Sequence, residues 1–97
     1  EEAVTAEDFM KQAAARADGG DYVGAIQSYD AVVLLNPENA RAYGNRGFMK
    51  LNLGDRTAAL ADFRIAAELF LAQGRMANYE MVLDYIEKMQ WMVMGNG

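Results

Sequence analysis

A period of 34 residues runs through this chain and narrows what it can fold into. Phe9 is echoed by Tyr43, Ala13 by Gly47, Gly20 by Gly54 and Asp21 by Asp55. The echo continues in Ala25 and Ala59, Tyr29 and Phe63, Val32 and Ala66, and Leu35 and Leu69. A fixed interval of this length marks a stack of like supersecondary units, each too small to bury its apolar face alone. Helical arrays of this kind usually bind other proteins.

Between the repeated positions the spacing is helical. Thr5 is placed to cap a first helix, with Asp8 three residues on as a weaker stand-in for the Glu of a capping box. Phe9, Ala13 and Ala17 then recur until Gly19 and Gly20. Asp21 caps a second helix with Ala25, Ile26, Tyr29, Val32 and Val33 as its buried stripe, and Pro37 follows its end. Asn39 caps a third helix, in which Tyr43, Gly47, Lys50 and Leu51 share one side before Gly54. Asp55 caps a fourth, built on Ala59, Leu60, Phe63, Ala66, Ala67 and Phe70. After Gly74 a fifth is predicted over about 76–93, with Tyr79, Val82, Leu83, Ile86, Met89 and Val93 on one stripe. Glu80, Asp84, Glu87 and Lys88 lie elsewhere on its circumference. No segment keeps up the alternation of a strand, so the expected fold class is all-α.

The small residues at 13, 25, 47 and 59 carry a packing argument. Gly47 inside a helix costs roughly 1 kcal/mol of propensity relative to Ala, so close approach of a second helix is its expected reason. Aromatics at 9, 29, 43 and 63 would fill the space between helix pairs. The expected unit is an antiparallel helical hairpin with small residues at its seam.

These residues resemble the tetratricopeptide repeat, which has an aromatic and then a small residue on its first helix. A Gly-Asp turn follows, then Ala and an aromatic on the second helix, often with Pro after it. The first repeat would span 6–39 and carry Phe9, Ala13, Gly20, Asp21, Ala25, Tyr29 and Pro37. The second, 40–73, carries Tyr43, Gly47, Gly54, Asp55, Ala59, Phe63 and Ala66. The match is specific because many positions agree in register. Gln12 and Arg16, and Arg46 and Lys50 after them, stand where the family usually has Leu and Tyr, and Leu71 replaces the Pro. Without that Pro the fourth helix is expected to run long. Ala77, Met81 and Lys88 do not continue the echo, so 75–93 reads as a C-terminal capping helix. The resemblance implies a right-handed α-α superhelix of about five helices in a single domain, 1–97.

Composition removes several classes of function. The chain has 97 residues, no Cys and no His. It therefore lacks thiolate chemistry, the commonest general base and the commonest transition-metal ligand. A net charge of −5 argues against nucleic acid as the main partner. The acids crowd the first half, where Glu1, Glu2, Glu7, Asp8, Asp18, Asp21, Asp30 and Glu38 face only Lys11 and Arg16. That half is either a solvated surface or an attractor for a basic segment. No apolar run is long enough to span a bilayer, and no signal peptide is visible. Starting at Glu1 rather than Met, the chain reads as a fragment or a processed product, with the cytoplasm as the default compartment.

By resemblance, the groove face is supplied by the first helix of each pair. It comprises Glu7, Met10, Lys11, Ala14 and Asp18, then Arg41, Gly44, Asn45, Phe48 and Asn52. Met10 and Phe48 are candidate apolar anchors for a partner peptide or helix. Lys11, Arg41, Asn45 and Asn52 are candidate selectors, with Ala14 between them. Phe48 has a second reading as a core residue covered by the fifth helix. Asn45 fits one position of the clamp some family members use for C-terminal carboxylates, but Met10 and Ala14 replace its Lys and Asn, so no such clamp is expected. Asp18 to Asp21 lacks calcium-loop spacing, and Glu7 and Asp8 point apart on a helix. No catalytic, metal or cofactor site is expected. Met89, Trp91, Met92 and Met94 raise an alternative, a self-associating module that dimerises through this end.

Overall fold

A computed structural model describes residues 4–93, with side chains through Trp91. Five helices follow one another: α1 (Ala6–Asp18), α2 (Tyr22–Leu35), α3 (Ala40–Asn52), α4 (Arg56–Ala72) and α5 (Met76–Val93). There is no strand among the described residues. Each helix packs on the next along the chain, which gives a slab of 53 × 31 × 18 Å.

The helix starts are where the caps place them. Thr5 and Asp8 form a reciprocal box: the Asp8 N–H donates to Thr5 Oγ1 (3.2 Å) and the Thr5 N–H donates to Asp8 Oδ2 (3.0 Å). Asp21, Asn39 and Asp55 accept from the N–H groups of Gly24, Ala42 and Ala58 at 2.9, 3.1 and 3.1 Å. Each satisfies a donor that the first helical turn leaves unpaired.

Three turns are copies of one device. Gly20, Gly54 and Gly74 sit at φ 83°, 86° and 72°, a left-handed backbone that side chains disfavour. The residue after each donates back to the carbonyl five positions earlier: Asp21 to Arg16 (2.8 Å), Asp55 to Lys50 (3.0 Å) and Arg75 to Phe70 (2.9 Å). This double-bonded helix stop folds α1 onto α2, α3 onto α4 and α4 onto α5. The joint at Asn36–Asn39 is built differently. Asn36 Oδ1 accepts from the Glu38 N–H at 3.3 Å, and Gln73 reaches across from the end of α4 to the Glu38 carbonyl at 2.8 Å.

The core has two parts. Met10, Ala13, Ala25, Tyr29, Val32 and Ala42 form one. The other joins Leu60, Phe63, Ala67 and Phe70 of α4 to Val82, Ile86 and Met89 of α5. Gly47 has the close neighbours its propensity cost implied: a Cβ there would lie 3.1 Å from the Phe63 ring and 3.2 Å from the Ala59 carbonyl. As expected without a proline, α4 runs to Ala72, 17 residues against 14 for α2.

That extra length explains the lost echo. Counted from the helix starts, Phe9, Tyr43 and Tyr79 are each the fourth residue, and Ala13, Gly47 and Leu83 the eighth. The pattern therefore resumes in α5, displaced because α4 is longer. At the seam, however, a large Leu83 stands where α1 and α3 carry small residues. Leu83 is 38% exposed, whereas Ala13 and Gly47 are buried against α2 and α4.

Candidate functional site: the α3–α5 face

The residues that depart from the family pattern form a repeated polar seam. In the first hairpin Ser28 Oγ donates to Gln12 Oε1 (2.9 Å), and Arg16 donates to Ser28 Oγ (3.2 Å) and to the Gly24 carbonyl (3.0 Å). In the second, Arg46 grips Asp62 through two bonds of 2.9 and 2.8 Å, and Lys50 Nζ lies 3.0 Å from the same carboxylate. Ser28 and Asp62 are 34 residues apart, as are Gln12 and Arg46. Sequence reading flagged the four helix residues and missed their partners, although that interval was the available signal.

Asp62 is buried, with 4% of its side chain exposed. Its charge is balanced by two cations, and Arg46 also reaches Asp30 of α2 at 2.8 Å. The hydrogen bonds that Arg46 donates to Asp62 raise the guanidinium above its ordinary pKa, against the burial that would lower it. Arg46 lies 5.3 Å from the centre of the Tyr43 ring. Three ion pairs thus tie α3 to both neighbours, Arg46–Asp30 to α2 and Arg46–Asp62 and Lys50–Asp62 to α4.

With its back held in this way, α3 presents Arg41, Gly44, Asn45 and Phe48 to a cavity of about 400 Å³. Phe63 and Phe70 of α4 form its floor. Arg75, Asn78, Met81, Val82 and Tyr85 supply the far wall. Phe48 meets Phe63 edge-on at 5.0 Å and Tyr85 edge-on at 4.9 Å, geometries that aromatic quadrupoles favour. Phe48 packs against the second core and also lines the cavity. The fifth helix stands beside the groove as a wall, packed on α4, rather than over it.

The other expected groove residues divide. Burial pushes the Tyr29 phenol above its ordinary pKa; Asn45 and Arg41 oppose the shift and Asp18 reinforces it. Glu7, Lys11, Ala14 and Asn52 are exposed and outside the cavity. Met10, expected as an open anchor, is only 8% exposed, because α3 brings Ala42 and Met49 against it. It belongs to the packing of the first hairpin on α3. Arg75, Asn78, Met81 and Tyr85 were not foreseen. At the C-terminal end Met89 is buried and Trp91 is 63% exposed. Met94 and the side chains of Met92 and Val93 lie outside the described residues, as do Glu1 and Glu2.

Among the described residues no helix is long and apolar enough to cross a membrane, and no three acidic side chains gather as a metal would require. No family model matches the chain. It is similar to Tetratricopeptide repeat protein 36 of Danio rerio, 33% identical over 75 residues, which are 77% of this chain and 40% of that protein. The human protein of the same name is 36% identical over 66 residues, 68% of this chain and 35% of that protein. A shorter stretch of 47 residues is 45% identical to Protein FlbA of Caulobacter vibrioides, covering 48% of this chain and 8% of that protein. The chain thus spans at most 40% of the length of these relatives. With the 34-residue register, the stacked hairpins and these relatives in hand, the chain belongs to the tetratricopeptide repeat family.

Proposed function

We propose that this chain is a non-catalytic protein-interaction module that holds a peptide or helix of a partner protein against α1 and α3, with α5 as the closing wall. A single domain, with repeats at 6–39 and 40–73 and a capping helix at 75–93, is the proposed working unit. The observation that carries the reading is the cavity between α3 and α5. Its aromatic floor, flanking amides and cations are the surroundings in which a few side chains can supply most of a binding energy. Arg41, Asn45 and Phe48 are the proposed main contacts, with Lys11, Ala14 and Asn52 extending the surface toward either side.

Affinity capture from a native extract tests this, with Arg41→Glu and Phe48→Ala chains as controls. Partners held by the parent chain and lost from both variants support the reading. Capture unchanged by either variant, with helical content intact, contradicts it. Because Phe48 packs on Phe63 and Tyr85, its variant is read beside a thermal melt, whereas exposed Arg41 carries the cleaner test.

A second reading has its own observation. Leu71 and Leu83 border a hollow of about 300 Å³ on the outer side of α4 and α5, with Tyr79 and Ile86 in its lining. Self-association would cover these side chains. A mass that rises with concentration and returns to the monomer in Leu83→Glu or Trp91→Ala favours it; a monomeric mass at high concentration excludes it.

A further inference from the structure

The α3–α5 cavity has a charge pattern that its acidic parent chain does not share. The chain carries 14 Asp and Glu against nine Lys and Arg, yet none of the described residues lining the cavity is acidic. Two of them are arginines. Arg46, Lys50 and Lys88 all lie in ion pairs, whereas Arg41 and Arg75 have none among the described residues. Arg75 instead lies 5.0 Å from the centre of the Phe70 ring. A guanidinium stacked on an aromatic face keeps its N–H edge available for a carboxylate.

The two cations share one end. Arg41 is in the first turn of α3, and Arg75 immediately precedes α5, which runs in the same direction because α4 folds back between them. Phe48 and Tyr85 stand further along those two helices, edge-on to each other. The cavity is therefore cationic at its Arg41–Arg75 end and aromatic beyond it, with Asn45 and Asn78 on its sides. Its volume of about 400 Å³ suits one or two inserted side chains rather than a whole helix.

We infer that the occupant is an acidic segment of a partner protein, with Asp or Glu between Arg41 and Arg75 and a bulky apolar side chain seated against Phe48 and Tyr85. This rests on the groove reading above and specifies the chemistry of its partner. The acidic surface of the rest of the chain would repel such a segment elsewhere, so attraction and rejection together fix where it docks. Nothing in the arrangement calls for a free chain end, and internal segments serve as well.

A random peptide library displayed as internal loops, selected on the full chain, tests this. Selections run on the parent, on the Arg41→Glu/Arg75→Glu double variant and on Met81→Arg, which obstructs the cavity. The parent should enrich sequences pairing Asp or Glu with Phe, Leu or Trp. The double variant should lose the acidic preference, and the enriched peptide, synthesised with an amidated C-terminus, should bind it at least about tenfold more weakly than the parent. Enrichment of basic or neutral sequences, or of the same acidic ones on the double variant, overturns the acidic assignment. Blocking by Met81→Arg would then leave the groove reading standing. Absence of enrichment on the parent, or enrichment untouched by Met81→Arg, overturns both.

Discussion

The two hairpins share a frame and differ in what they bury. Each has the same glycine turn, an Asp cap after it and a polar seam at equivalent positions. The first hairpin closes that seam with Ser28, Gln12 and Arg16; the second closes it with a buried carboxylate between two cations. Their cores differ as well: Ala and Val dominate around Tyr29, whereas Leu60, Phe63 and Phe70 combine with α5 in the second. The comparison teaches that the repeat specifies a backbone arrangement while the occupants of its positions decide where stability and binding reside. The larger buried side chains and the proposed binding surface both fall on the second hairpin, which has a neighbour on each side.

The sharpest break in the comparison is Asp62→Ala against Ser28→Ala. Removing Asp62 leaves Lys50 unpaired and Arg46 with only the exposed Asp30, beside a buried gap, and should cost roughly 3–5 kcal/mol, much of the stability of a domain this small. Ser28→Ala loses neutral hydrogen bonds and should cost about 1 kcal/mol. Urea unfolding of both variants measures the difference, and equal losses would erase the proposed asymmetry. Next in size, Gly47→Leu should cost about 1–3 kcal/mol through overpacking on Phe63 and the Ala59 carbonyl, whereas Ala13→Gly should lose only about 1 kcal/mol of helix propensity. A Gly47→Leu chain as stable as the parent would show that the second seam is looser than its distances imply.

A smaller effect is expected in alkali. The Tyr29 pKa is raised in the folded chain by burial, so above the ordinary tyrosine value of about 10 the unfolded state gives up its proton first. Folded stability should be intact below that pH and fall as pH rises through the folded value. Melts between pH 9 and pH 11 should show a shallower fall in Tyr29→Phe, and identical slopes would remove Tyr29 from the account. The smallest change is Asp30→Ala. It removes an exposed partner of Arg46 and should cost at most about 1 kcal/mol, a loss that shrinks in high salt.

What was legible in the sequence follows the range of each interaction. Thr5, Asp21, Asn39 and Asp55 act on donors within three residues, and Gly20, Gly54 and Gly74 set their own backbone, so caps and turns could be read directly. The stripes on α2 and α4 were legible because burial follows helical period. Tyr85, Asn78 and Arg75 were not, since their role depends on where a longer α4 places α5. Met10 illustrates the same limit: its position in α1 points toward the groove face, and the helix from the next repeat covers it. Ser28 and Asp62 were within reach, had the apparent mismatches been compared across the period.

The central claim, that partners dock in the α3–α5 cavity, is most directly tested by site-specific photo-crosslinking. A benzophenone side chain introduced at Met81, which lines the cavity, is compared with one at Leu34, which is 81% exposed and outside it. In native extract, the account predicts discrete partner adducts from position 81, lost on adding Arg41→Glu, and none of the same adducts from position 34. The same adducts from position 34 at equal yield, or adducts at 81 indifferent to Arg41, would contradict it.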